Sequence, residues 1–337
     1  MSSKKAILLT HDPGGYSVVY PIFQEISKDR AVEMFCLGPS GFLNPLLCNE
    51  ENSFLSELQI YLEDETIELL VTGTSWGTDV ELRAIKMCEQ FGVTTVSILD
   101  YWSGYVSRFR MQDGSIIYPD FLIVMDDLAY QEAKQDGVPE SIMKVLGHPG
   151  LDYYISLRKL NDSKIGHPSK SNVLFLSQPI QTVYDSSLGF DEEIVLNDCI
   201  RITQEMNVNL HVKFHPKDRH EFIEKYSYLS VNGDMIDLLT NHDLVIGMST
   251  VSLLHAVILN LPTISYQPNL KGQDLCITNK LGLTDPIYIT DNFNEVLFNY
   301  LYNPNIVENV LESKNLIWLD GMSTIRIARY LKGLSER

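Results

Sequence analysis

The sequence is poor in positive charge: 26 lysines and arginines stand against 44 aspartates and glutamates, a formal net charge of −18 over 337 residues. A chain so acidic repels nucleic acid and anionic bilayers, so a general affinity for either is not expected, and an anionic ligand has to be held locally. Long apolar runs are missing too. None approaches the roughly 18 residues of a membrane span, and the apolar stretch after Lys4-Lys5 ends at His11-Asp12, too soon for a secretory signal. A cytoplasmic protein with no integral membrane segment is the expectation. Cysteine is sparse: Cys36, Cys48, Cys88, Cys199 and Cys276 form no C-x-x-C pair, and their odd number and apolar settings favour free thiols over disulfides or a zinc site. The Walker A, G-x-G-x-x-G, G-x-S-x-G and H-E-x-x-H patterns are absent. The eight histidines show no metal-ligand spacing, and Asp126-Asp127 reads as a solvated or helix-capping pair. Neither a metal nor a cofactor is expected.

What is there has the makeup of a globular chain, 45% hydrophobic and 21% charged, and its length calls for about two domains. Short apolar runs alternate with longer amphipathic stretches, the pattern of parallel strands joined by crossover helices. In the first half, strands are expected over 6–9, 32–37, 67–72, 94–99 and 121–125, with a helix over 79–91. The alternation breaks between Gly147 and Ser171 and resumes with strands over 172–176, 209–214, 244–246 and 263–266 and helices over 191–206 and 251–259. The expected organisation is thus an α/β domain over 1–150, a linker over 151–171 and a second α/β domain over 172–337, whose last helix is free to return to the first.

In open α/β sheets ligands bind beyond the carboxyl ends of the strands, and here those positions are rich in glycine and polar residues. Gly247-Met248-Ser249-Thr250-Val251-Ser252 reads as a strand end, a glycine turn and a helix start, where N–H groups and the hydroxyls of Ser249, Thr250 and Ser252 suit a phosphate. Ser249 or Thr250 acting only as the helix N-cap is an equal alternative. His215-Pro216-Lys217 follows another strand, and the proline holds His215 in a set direction beside a cation. Ser177-Gln178 closes the first strand of the second half. In the first half Asp12, Gly14 and Gly15 follow one strand, and Thr74 and Ser75 another, as loops able to approach a phosphate or an acceptor. Asp100 follows the strand over 94–99 and precedes the aromatic loop 101–109, placing a carboxylate where it can take a proton beside a surface suited to a sugar ring. A helix cap is the other reading of Asp100.

The succession of His215-Pro216-Lys217, the run from Asp243 to Thr250 and the run from Ala256 to Ile264 resembles the C-terminal domain of GT-B glycosyltransferases and their relatives. These include the non-hydrolysing UDP-N-acetylglucosamine 2-epimerases, lipid A disaccharide synthase, the CDP-glycerol glycerophosphotransferases and the bacterial sialyl- and Kdo-transferases. Gly147-His148-Pro149-Gly150-Leu151-Asp152 is similar to the Gly-x-Pro-x-x-Asp segment that closes the first domain in several of them. The resemblance implies a GT-B-like fold of two Rossmann-like domains facing across a cleft. From the sialyltransferase-like members it implies a nucleotide met by His215 and Pro216, its phosphate held by Ser249 and Thr250, and a CMP-activated acidic sugar as donor. Where many relatives carry a ribose-binding glutamate, this chain has His255. The resemblance also brings in Asp113, in Gln112-Asp113-Gly114-Ser115, as a rival to Asp100 for the base. The expected function is a metal-independent glycosyltransferase of surface-glycan synthesis, using a CMP-, UDP- or CDP-linked sugar and a glycan, lipid or protein hydroxyl acceptor. A nucleotide-sugar epimerase or hydrolase, or a non-catalytic binding protein, is the alternative, and a homo-oligomer is allowed.

Overall fold

The computed structural model describes residues 4–161, 172–185, 187–302, 311 and 314–335. The chain forms two compact α/β units, Met1–Tyr153 with Leu316–Arg337, and Tyr154–Asn315. Of the segment expected as a linker, the first part lies in the helix Pro149–Asn161, and 162–171 fall outside the described residues.

The first unit holds strands β1 (Lys5–Thr10), β2 (Val32–Cys36), β3 (Ile67–Thr72), β4 (Thr94–Ile98), β5 (Phe121–Val124) and β6 (Met143–Val145), in the order β2-β1-β3-β4-β5-β6. The second holds β7 (Asn172–Leu176), β8 (Asn209–Lys213), β9 (Leu244–Gly247), β10 (Thr263–Tyr266) and β11 (Pro286–Ile287), in the order β11-β10-β9-β7-β8. Every strand pair is parallel. Helices cover both faces of such sheets, so inner strands are apolar on both sides; Ala6 to Leu9 of β1 and Leu244 to Ile246 of β9 are fully buried. At the sheet edge β8 keeps an alternating Asn-Leu-His-Val-Lys pattern and exposes every second residue in part.

Both sheets run in the same way. The chain leaves the first strand in one direction to build the second, then crosses back to build the third on the other side, which opens a crevice between first and third strands at their carboxyl ends. That switch point lies between β1 and β3 in one unit and between β7 and β9 in the other. The sheet also separates two motifs that follow each other in the sequence: β7 stands between β8 and β9, so Ser177-Gln178 lies between His215 and Ser249.

The first unit is closed by a returning segment. Ile327 and Leu331 of the helix Ser323–Ser335 join Val18, Val19 and Ile22 in the core, and Asp152 accepts the N–H groups of Ser323 (3.1 Å) and Thr324 (2.7 Å) at the start of that helix. Asp126 is buried and accepts three donors: the Ala129 N–H (2.9 Å), the Trp102 indole (2.9 Å) and the Trp318 indole (3.0 Å), 192 residues away. It caps the helix Asp127–Asp136 and pins the returning segment at once.

At the β1/β3 crevice the two loops meet through glycine. A Cβ on Gly73 would fall 2.8 Å from the Cα of Gly15, and one on Gly15 would fall 3.3 Å from the Cα of Gly73. Beneath them lies Glu81, whose Oε2 accepts the Ser75 N–H at 2.7 Å while Oε1 has no hydrogen-bond partner. Burial, opposed by the Ser75 bond and reinforced by the charges of Asp12 and Asp100, pushes its carboxyl up to about 7.

Two stability predictions follow from these contacts. Asp126→Ala strands two buried indole N–H groups and is expected to lower the unfolding free energy by about 2–4 kcal/mol, read from urea denaturation. Glu81 ionises near its ordinary value in the unfolded chain but only near 7 when folded, so the folded state holds the extra proton between those values and stability falls as pH rises through that window. Glu81→Gln keeps an acceptor for Ser75 without the charge. Its stability relative to the parent is expected to rise by on the order of 3 kcal/mol between roughly pH 4 and pH 8, and a difference that does not change with pH would refute this origin.

Candidate functional site

In the first unit the candidate residues gather at the ends of β1, β3 and β4. Asp12 occupies the N-cap position before Pro13, yet its side chain makes no cap bond. Its Oδ2 accepts the Trp76 N–H at 2.7 Å, its Oδ1 lies 2.9 Å from His11 Nδ1, and its own N–H donates to Ser75 Oγ at 3.3 Å. Asp12 therefore stitches the β1 loop to the β3 loop. The bond to Asp12 holds the His11 pKa above its ordinary value, against a loss from burial.

Asp100 lies directly on Gly14: a Cβ at Gly14 would fall 1.8 Å from Asp100 Oδ2. Its Oδ1 accepts from Arg108 Nη1 (2.5 Å) and from Thr74 Oγ1 (3.1 Å), whereas Oδ2 makes no hydrogen bond among the described residues. Arg108 is almost wholly buried and also donates to the carbonyls of Thr74 (2.5 Å) and Ser103 (3.0 Å). His148 stacks on Trp102 at 5.5 Å, and its Nε2 lies 3.1 Å from the Asp100 carbonyl, which can only accept. Asp100 is thus fixed through its main chain and one carboxylate oxygen, while the other packs on Gly14 without a hydrogen bond and keeps the capacity to take a proton. Asp113 sits in an exposed turn, where its Oδ1 accepts from the N–H (2.9 Å) and the hydroxyl (2.6 Å) of Ser115. The structure gives Asp113 partners in its own turn and Asp100 partners from two other loops.

In the second unit Gln178 spans the β7/β9 switch point. Its Oε1 accepts the Ser249 N–H at 2.7 Å and its Nε2 donates to Ser249 Oγ at 3.4 Å. Thr250 Oγ1 accepts the Ser252 N–H at 3.3 Å, at the start of the seven-residue helix Ser252–Ile258. The Ser249 and Ser252 N–H groups are therefore both taken, while the N-cap position itself is Val251 with no side-chain cap, which narrows the ready-made anion site expected at this helix start. Gly247, the last residue of β9, lets the chain turn closely; a Cβ there would fall 3.0 Å from Leu253 Cδ2.

His215 follows β8. Its N–H donates to Asp218 Oδ2 at 2.8 Å, and its Nδ1 accepts the Lys217 N–H at 3.1 Å. With Nδ1 accepting, the neutral ring carries its proton on Nε2, and burial, the leading cause, holds the His215 pKa below its ordinary value. The result is a neutral, directed N–H donor. Burial pushes the Asp218 carboxyl upward, opposed by Ser177 and the His215 N–H. Pro216 and Lys217 are exposed beside it. His255, on the helix Ser252–Ile258, stacks on Tyr154 with ring centroids 4.0 Å apart and planes 7° apart. Gln178, His215 and the hydroxyls of Ser249 and Thr250 make up a set of neutral groups fitted to an anion. Among the described residues there is no cluster of histidine, cysteine and carboxylate side chains that could hold a metal, and no helix is long and apolar enough to cross a membrane. Arg108, Glu81, His148 and Asp218 belong to these strand-end clusters and were not singled out from the sequence as site residues, whereas the aromatic face of Trp76 was read there as part of the loop after β3.

No family model matches the chain, and no curated protein matches it. Solved structures do. The chain is similar to the UDP-GlcNAc 2-epimerase of Methanocaldococcus jannaschii, with a TM-score of 0.66 at 13% identity over 98% of this chain and 99% of that one. It is similar to the UDP-GlcNAc 2-epimerase of Neisseria meningitidis bound to UDP-GlcNAc, with a TM-score of 0.70 at 10% identity over 98% and 100%. An Anabaena protein in complex with UDP and glucose gives a TM-score of 0.60 at 12% identity over 98% and 100%. The two-domain Rossmann-like α/β fold of the GT-B type is thereby shown over the full length of the chain. These neighbours overturn the glycosyltransferase reading, with its CMP-activated acidic sugar and hydroxyl acceptor, and they do not support the narrower similarity to sialyl-, Kdo- and CDP-glycerol transferases. The physical reason is that a polar residue after each parallel strand comes with the GT-B sheet itself, so the His-Pro and Ser-Thr pairs report the fold and not the reaction.

Proposed function

We propose that this chain binds a uridine diphosphate sugar and inverts one carbon of the sugar, as a nucleotide-sugar epimerase. The observation that carries this reading is Asp100 at the end of β4, anchored by Arg108 and Thr74 through one oxygen and without a hydrogen bond at the other among the described residues. Inversion by proton transfer takes a proton from one face of the carbon while the C–H electron pair expels the diphosphate from the neighbouring carbon, and ends with a proton returned to the other face as the diphosphate re-adds. A positioned carboxylate is a fitting acceptor for the first proton. The buried guanidinium of Arg108 keeps that carboxylate in place. The complexes of similar structures with UDP-GlcNAc and with UDP and glucose support a uridine nucleotide.

The nucleotide part of the reading rests on the second unit. Nε2–H of His215 and the hydroxyls of Ser249 and Thr250 are neutral donors for phosphate oxygens, and hydrogen bonds to a charged acceptor are roughly twice as strong as neutral ones. The acidity of the chain is then no obstacle, since the diphosphate is held by directed donors and not by a field.

Incubation with UDP-GlcNAc and UDP-glucose in deuterium oxide, followed by proton NMR, is expected to show an epimer that carries deuterium at the inverted carbon. Absence of both inversion and exchange across a panel of UDP-hexoses would sink the proposal. Asp100→Asn is expected to lower turnover at least ~100-fold with UDP affinity unchanged. His215→Ala is expected to weaken UDP binding about tenfold, the loss of one hydrogen bond to a charged group, measured by calorimetry.

A further inference from the structure

The chain has three tryptophans, and two are accounted for by packing. Trp102 and Trp318 are buried, with their indole N–H groups on Asp126. Trp76 is different: its side chain is large and apolar, it follows β3 at the switch point, and it is 52% exposed. It is nevertheless held. Its main-chain N–H donates to Asp12 Oδ2 at 2.7 Å, and its ring lies over the Arg108 guanidinium, with Cζ 4.9 Å from the ring centroid. Its far edge fills the space that a side chain at residue 104 would need. A Cβ on Gly104 would fall 2.3 Å from Trp76 Cη2, and Gly104 has a φ of +66°, a conformation that favours glycine. The ring is thus packed on the loop after β4, with its main chain tied to the loop after β1, and is left half exposed beside the Asp100–Arg108 pair.

We propose that Trp76 is a specificity-determining residue, on whose indole the apolar C–H face of a neutral pyranose lies. This deepens the function proposed above and rests on it. A pyranose ring presents patches of C–H groups between its hydroxyls, and an indole face offers them broad, rigid contact at little conformational cost. Preference for a neutral sugar follows from the charges around the ring. Arg108 is committed to Asp100 at 2.5 Å, His11 to Asp12, and the remaining carboxyl nearby, Glu81, is itself acidic. Among the described residues the cationic groups placed here, Arg108 and His11, are both paired, so a sugar carboxylate would face Asp12 and Asp100.

Trp76 is the exposed tryptophan, so fluorescence reads it directly. Titration of the intact chain with UDP-glucose or UDP-GlcNAc is expected to change the tryptophan emission beyond the change given by UDP alone. In Trp76→Ala that sugar-dependent change disappears and UDP-hexose affinity drops about three- to tenfold, while UDP affinity by calorimetry stays the same; Trp76→Phe regains most of the loss. Gly104→Ala, which drives a methyl into the ring position, is expected to mimic the alanine variant. UDP-glucuronate should bind more weakly than UDP-glucose. Unchanged hexose affinity in Trp76→Ala, with no sugar-dependent emission change in the parent, overturns the platform, and equal binding of UDP-glucuronate overturns the preference for neutral sugars. If UDP and UDP-hexoses both fail to bind, the epimerase reading falls and this inference falls with it.

Discussion

The contact between Gly15 and Gly73 sets the spacing on which the rest of the first unit's site depends. With a Cβ on Gly73 only 2.8 Å from the Cα of Gly15, any side chain there would push the β1 and β3 loops apart. At the distance glycine allows, Asp12 reaches the Trp76 N–H, Ser75 reaches Asp12, and Asp100 rests on Gly14. Parallel strands that diverge at a switch point leave a crevice by topology alone. Glycine on both sides narrows that crevice until side chains from three loops share one cluster. The second unit meets the same geometric problem with an amide: Gln178 bridges β7 and β9 through both its oxygen and its nitrogen.

The two clusters differ in their electrostatics. Around Asp100 the structure concentrates charge, with a buried guanidinium, three carboxyls and His11, and half-burial strengthens each interaction relative to water. Removal of Arg108 would leave Asp100, Asp12 and Glu81 to repel one another, so the ion pair is a condition for the cluster as well as an anchor for one residue. Around His215 the structure uses neutral donors, and the ring's own environment, with Nδ1 occupied by the Lys217 N–H, decides which nitrogen is offered. Proton transfer is served by the first arrangement and anion binding by the second.

His215-Pro216 and Ser249-Thr250 lie where a GT-B sheet places loops toward ligand, whatever the reaction. A proline after a strand ends the ladder, and a serine or threonine before a helix takes one of its first N–H groups, as Thr250 takes that of Ser252 here. Such residues recur for reasons of chain geometry. Reaction type is carried by the groups that touch the reacting atoms; on the proposed reading that group is Asp100, held by separated parts of the chain, Gly14, Thr74 and Arg108.

Much of this protein was determined by local pattern. Apolar runs buried on both faces must be inner parallel strands, so two α/β units were legible, as were the positions of Asp12, Thr74, Asp100, Ser177, His215 and Ser249 just beyond strand ends. Only the tertiary structure decided which of those ends are neighbours. Strand order depends on where each crossover returns, a non-local choice, and it set β7 between β8 and β9. For the same reason Arg108 read as one cation in an aromatic loop, Glu81 as a helix carboxylate and Trp76 as a loop aromatic. Each acquires its part from residues 6 to 64 positions away, because a residue's partners are fixed by packing in three dimensions and leave no periodic trace in the sequence.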